Sequence, residues 1–263
     1  MSRTAVGAVG YLNARPLTWA LDQDPARWDV RYDRPAVCAR LLAERQVALG
    51  LIPSVEYLSE AEYRLVPGVG IVSNGAVASV ALFSRVPLSA VRRIALDTSS
   101  RTSVALTKIL CRQRFGIDPA FVPHGPDVEA MLQVADAALL IGDPAFDLDH
   151  ASLGLLKVDL GSEWTALTGL PFVYAAWVGR QGAADADLVE ALQAARAEGV
   201  RATEAIAAEY AHGDTRVAEK AARYLRDNVR YVLGEAEVAG LQRFLDLAVE
   251  LGLAPRRRLV EFF

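Results

Sequence analysis

The 263-residue sequence predicts an α/β protein of two lobes, with two hinge connections between them and a helical C-terminal segment. Three observations predict it. Apolar strand-like runs alternate with helix-like runs through the first third, the pattern that builds parallel sheets through right-handed crossovers. A second alternating set follows two longer strand-like runs, so residues 85–175 read as a lobe inserted between segments 1–84 and 176–263 of the first. After Gly179 the sequence reads as helix to its end.

Residues 5–11 form the first predicted strand and 16–21 a short helix with Pro16 at its first position, where a missing N–H costs nothing. Residues 29–32 alternate as a strand, 36–44 read as a helix, and 47–52 are the nearly continuous apolar run of a strand buried on both faces. Pro53 and Ser54 open another short helix. Residues 70–73 and 76–83 read as strands, and Asn74-Gly75 between them as a tight turn. The inserted lobe follows with a strand at 94–97, a helix to Phe115 and an apolar strand at 137–141. Residues 171–178 make one further buried strand. Helices are predicted at 188–196, 202–210, from Asp214 towards Leu233, and over the stripe from Val238 to Leu251. The two connections between lobes are expected at 83–85 and 174–176. The C-terminal helices leave two roles open, a cover for the first lobe or a homodimer contact.

Composition excludes several function classes. Hydrophobic residues make up 52% of the sequence and the net charge is −4, so no basic surface recommends nucleic acid or an anionic membrane. No apolar run approaches the roughly 18 residues that span a bilayer, and the N-terminus runs into a strand without a long apolar leader, so a cytoplasmic location is expected. Cys38 and Cys111 are far apart and read as free buried thiols, the three histidines lie in no ligand motif, and neither a metal nor another cofactor is expected.

In open α/β sheets, ligands bind beyond the carboxyl ends of strands. Four junctions qualify. Asn13 follows the first strand, and Ser54 follows the strand at 47–52. The cluster Thr98-Ser-Ser-Arg-Thr-Ser103 sits where a strand ends and a helix begins, and Gly142-Asp143-Pro144 ends the apolar strand at 137–141. A helix start offers unpaired N–H donors and a partial positive charge, which suits an anion. The hydroxyls of Ser99, Ser100, Thr102 and Ser103 and the guanidinium of Arg101 add to it, and no Gly-rich phosphate loop argues for a nucleotide. Taken singly, each junction is an ordinary cap or turn. Two fall in each predicted lobe, so closure brings all four around one small molecule. The site is rich in hydrogen-bond donors and poor in titratable groups, Asp143 being the one acid the pattern puts at the cleft. These residues support a small-anion cleft protein and leave enzyme and receptor both open.

Several motifs in fixed order carry a resemblance. They are Gly10-Tyr-Leu-Asn-Ala-Arg-Pro-Leu17, Leu51-Ile-Pro-Ser54, Ser73-Asn-Gly75 with Ser79-Val-Ala-Leu-Phe-Ser84, the stretch 97–104, Leu139-Leu-Ile-Gly-Asp-Pro144, and Glu163-Trp164 followed by Thr168-Gly-Leu-Pro-Phe-Val-Tyr174. Over nearly its whole length the sequence resembles the chorismate dehydratase family of the futalosine route to menaquinone. That resemblance implies a type II periplasmic-binding-protein-like fold and loss of water from chorismate, a dicarboxylate, to give 3-[(1-carboxyvinyl)oxy]benzoate without a cofactor. It also implies roles. Asn13 is the candidate for contact at the reacting centre, and the helix start at 98–103, with Arg101 as counter-charge, for a carboxylate. Ser54, Ser73, Asn74, Ser79 and Asp143 are the candidates for completing the binding wall. No side chain qualifies as the base, so a carboxylate of the substrate is expected to take the proton. The alternatives are a cytoplasmic small-anion binding protein and the sibling dihydroxynaphthoate synthase, whose first-strand motif, built around Cys-Pro-Asn-Asp, this sequence does not match.

Overall fold

The computed structural model describes residues 3–263 and divides them between two five-stranded sheets. The first lobe begins with β1 (Thr4–Val9), a 3-10 turn at Leu12–Ala14, α1 (Arg15–Asp22), β2 (Trp28–Asp33), α2 (Pro35–Ala43), β3 (Leu49–Pro53), a 3-10 turn at Ser54–Ser59 and β4 (Tyr63–Ser73). The chain then crosses to β5 (Val80–Ser84), β6 (Arg93–Asp97), α3 (Arg101–Leu110), β7 (Ala120–His124), α4 (Val128–Val134), β8 (Ala137–Ile141), α5 (Gly142–Asp147), β9 (Leu156–Asp159) and α6 (Leu160–Thr168). It returns through β10 (Phe172–Arg180) and ends in α7 (Ala186–Arg201), α8 (Thr203–Tyr210), α9 (Thr215–Asp227) and α10 (Glu235–Glu250).

The first sheet has the order β2-β1-β3-β10-β4 and the second β7-β6-β8-β5-β9. In the first, β1 lies parallel to β2 and β3, whereas β10 runs antiparallel to β3 and β4. The second repeats the scheme, with β6 parallel to β7 and β8, and β5 antiparallel to β8 and β9. Parallel strands with helical crossovers bury both faces. Every residue of the inner strands β3, β5 and β8 is buried, while β2, at a sheet edge, is exposed over its last three residues.

Two expectations about the crossings need correction. Strand β5 pairs wholly within the second sheet, so the first crossing falls at 74–79 instead of 83–85, and Asn74-Gly75 begins an inter-lobe connection instead of a hairpin. Strand β10 is in register with the first sheet from Phe172, which puts the return crossing at 169–171 and moves the lobe boundary ahead of 174–176. An unbroken apolar run hides a change of sheet, because both sheets bury the same residue types. The helix expected to reach Leu233 ends at Asp227. Beyond it Arg230 exchanges two backbone hydrogen bonds with Val72 on the free edge of β4.

The C-terminal helices cover the first lobe. Gly199 of α7 lies against the Pro16 backbone at the start of α1, and Gly240 of α10 against Pro171. Trp164 of α6 is fully buried in a cluster with Phe172 and Phe244, and its indole N–H donates to Pro171 O at 3.1 Å. Burying such side chains contributes roughly 1.5–3 kcal/mol each, which anchors the residues on either side of the return crossing.

Candidate functional site

The four strand-end junctions close around one cavity. Its wall takes Val9, Tyr11 and Asn13 from the end of β1, Pro53 from β3, Ser100 and Ser103 from the start of α3, and Ile141 and Gly142 from the end of β8. Pro35, Ile71, Val80, Tyr174 and Ala175 complete it. Its volume is about 40 Å³, enough for a few waters at the roughly 10–15 Å³ each requires.

Closure is held by named contacts. The Tyr11 ring lies directly against Gly142, where a Cβ would stand 2.6–2.7 Å from three ring carbons and where φ is +61°. Only glycine allows both that backbone and that approach. Asp143 Oδ1 accepts the Leu12 peptide N–H at 2.9 Å across the gap. Thr102 Oγ1 accepts the Val55 N–H at 3.2 Å and lies 3.3 Å from Ser54 Oγ, which donates to Val173 O. The Ala36 N–H donates to Ser99 O.

At the start of α3, Ser100 is the N-cap, accepting the Ser103 N–H at 3.3 Å and donating to Ser103 Oγ at 2.9 Å. Both serines line the cavity at the first turn of the helix. Asp97, at the end of β6, has no exposed surface; its Oδ1 accepts the Ser99 N–H, while Oδ2 and Ser99 Oγ have no partner among the described residues. Burial pushes the Asp97 carboxyl above its ordinary value, against the bond from the Ser99 N–H. Burial also raises Asp143, to about 6, outweighing the Leu12 N–H bond. Among the described residues, no carboxylate, imidazole, amine or guanidinium belongs to the wall; its titratable groups are the phenols of Tyr11 and Tyr174, both raised by burial.

The expected site residues therefore divide. Asn13, Ser100 and Ser103 line the cavity, and Ser54 and Thr102 clamp its rim. Ser73 stands behind it, 2.9 Å from the Tyr174 hydroxyl. Ser79 accepts the Tyr224 hydroxyl at 2.7 Å, and Ser99 faces Asp97. Asp143 is an inter-lobe latch outside the wall. Two expectations fail. Arg101 turns outward, is 56% exposed, and pairs with Glu56 at 2.8 Å, a tertiary partner that draws its guanidinium away from the cavity. Asn74 is exposed at the first crossing.

Sequence reading missed Tyr11, Tyr174, Tyr224, Asp97 and Asp159. Tyr11 had a findable signal, since it stands at a strand end beside Asn13. Asp159 N-caps α6 through Ser162 N and its carboxylate also accepts the Val77 and Ala78 N–H groups at 3.1 and 2.7 Å. Lys157 Nζ donates to Ala78 O, so Ala78 is held at φ +65°, a conformation that an L-residue rarely adopts.

Two mixed sheets of matching order, closed over a cleft at their strand ends, define a two-lobed protein with the periplasmic binding protein fold. The solved structures agree. A protein of Archaeoglobus fulgidus, AF1704, matches with a TM-score of 0.76 at 22% identity over 95% of this chain and 98% of that one. The alkanesulfonate-binding protein SsuA from Xanthomonas axonopodis, bound to MOPS, matches with 0.71 at 16% identity over 99% and 96%. A family model described as menaquinone biosynthesis matches residues 4–250, and the chain belongs to that family. It is 33% identical to the chorismate dehydratase of Thermus thermophilus, over 95% of this chain and 96% of that one.

Proposed function

We propose that this chain is a chorismate dehydratase, a hydro-lyase that removes water from chorismate to leave 3-[(1-carboxyvinyl)oxy]benzoate. The match over nearly the full length of both chains to the Thermus thermophilus chorismate dehydratase carries the reading. The reaction breaks the C–H bond at the ring carbon bearing the enol ether and the C–O bond of the neighbouring hydroxyl. The electron pair of the first completes the aromatic ring, and the hydroxyl leaves with one proton as water. The proton is acidified by vinylogous conjugation with the ring carboxylate, and aromatisation supplies the driving force. The protein's task is then to orient the substrate and exclude solvent.

In this reading the first-turn N–H groups of α3, with Ser100 and Ser103, hold a substrate carboxylate, and Asn13 contacts the leaving hydroxyl. Val9, Ile141 and Tyr11 supply the apolar surface for the ring. A substrate carboxylate takes the ring proton, which is supported by a wall without any carboxylate, imidazole or amine. Incubation of purified protein with chorismate is the test: an aromatic product with loss of the diene absorbance is expected, and unchanged chorismate would overturn the reading. Replacing Asp143 and each histidine in turn tests the base. Loss of turnover by several orders of magnitude in one of them, with binding intact, would assign the proton to the protein.

A further inference from the structure

Tyr224 lies in α9, far from every strand-end junction in sequence, yet its hydroxyl donates to Ser79 Oγ at 2.7 Å in a fully buried contact. Its ring stacks on Phe146 of α5 at 4.5 Å between centroids, so it touches the first crossing and the second lobe together. Burial raises this phenol, so its O–H stays protonated at physiological pH. A serine hydroxyl has one proton to give and two lone pairs. With one lone pair taken by Tyr224, and with no other partner for Ser79 Oγ among the described residues, the serine proton is unspent. Ser79 also sits on a backbone fixed on three sides: Ala78 is held by Asp159 and Lys157, and Ser79 O accepts the Gly142 N–H. Its neighbours Val80 and Gly142 are both cavity wall.

We propose that Tyr224 is a positioning residue that fixes the Ser79 hydroxyl, leaving the serine proton free to donate into the cleft. The inference rests on the dehydratase reading and deepens it. A chain of hydrogen bonds polarises each member, so a donating Tyr224 makes Ser79 the better donor towards a departing hydroxyl.

Tyr224→Phe keeps the ring and removes one O–H. It is expected to lower kcat at least tenfold with KM within about threefold, the signature of an interaction made in the transition state. In a Ser79→Ala background the same change is expected to cost less than twofold, since partners in one network are not additive. A Tyr224→Phe enzyme with kcat within twofold of wild type, a change confined to KM, or an equal loss in both backgrounds would overturn the inference. If Tyr224→Phe does not fold, Phe146→Leu loosens the same phenol, and an unchanged kcat there counts against it equally. Unfolding midpoints of the two single variants and the double variant give a readout independent of substrate. The double variant should lose less than the sum of the singles, and strict additivity would overturn the pairing. A wild-type protein without turnover of chorismate would sink the functional reading alone, and the unfolding cycle then decides on Tyr224.

Discussion

Asp143 in the second lobe accepts the peptide N–H of Leu12 in the first at 2.9 Å, so the two halves are tethered by a group that titrates. Burial raises this carboxyl from 3.8 to about 6. Between those values the folded protein binds more protons than the unfolded chain, so stability falls as pH rises. The contribution is fully present below the ordinary value and is lost as pH passes through about 6. Partial exposure reduces it, to about 1–2 kcal/mol. Thermal unfolding of the wild type should show a midpoint that declines across this window, and Asp143→Asn should flatten part of the decline. Equal slopes in both proteins would assign the effect elsewhere.

Gly142→Ala places a methyl group where the Tyr11 ring lies and strains a backbone at φ +61°. A loss of roughly 1–3 kcal/mol is expected, together with a more open average shape. Small-angle scattering checks this directly: the variant should have a larger radius of gyration than the wild type.

Asp159→Ala removes the N-cap of α6 and leaves two N–H groups of the first crossing without their carboxylate. The cap contributes about 1 kcal/mol and hydrogen bonds to a charged group about 1.5–3 kcal/mol each. Denaturant titration should therefore show a loss on the order of 3 kcal/mol or more. Asp159→Asn, which keeps one acceptor oxygen, should recover part of it.

Arg101→Ala and Ser103→Ala should behave oppositely to what charge alone suggests. Arg101 is more than half exposed and spends itself on Glu56, a surface pair worth about 0–1 kcal/mol. Its removal should leave KM for chorismate within about twofold. Ser103→Ala takes a hydroxyl from the cavity wall and should raise KM about tenfold, near the 1.5 kcal/mol of one hydrogen bond to a charged group. Steady-state kinetics on both variants checks the contrast.

The lobes and their convergence were legible because strand-end junctions are local signals. Asn13, Ser100 and Ser103 all stand at junctions where a strand gives way to a helical turn, and each meets the cavity. The crossings were not legible, because β4, β5 and β10 are buried on both faces and carry no mark of the sheet they join. Tyr224 was hidden for a different reason. Its helix is strongly amphipathic, and a tyrosine on the buried stripe reads as packing until Ser79, 145 residues earlier, is seen beside it. The side of the helix to which Arg101 turns is likewise set by Glu56, a tertiary partner.

An interior of about 40 Å³ cannot admit a ring that bears two carboxylates while the halves stay together. Binding of such a substrate is expected to part Asp143 from Leu12 and Thr102 from Ser54. Turnover is then expected to include this opening, and thickening the medium with an inert viscogen should slow it; a rate independent of viscosity would place the limit at bond cleavage.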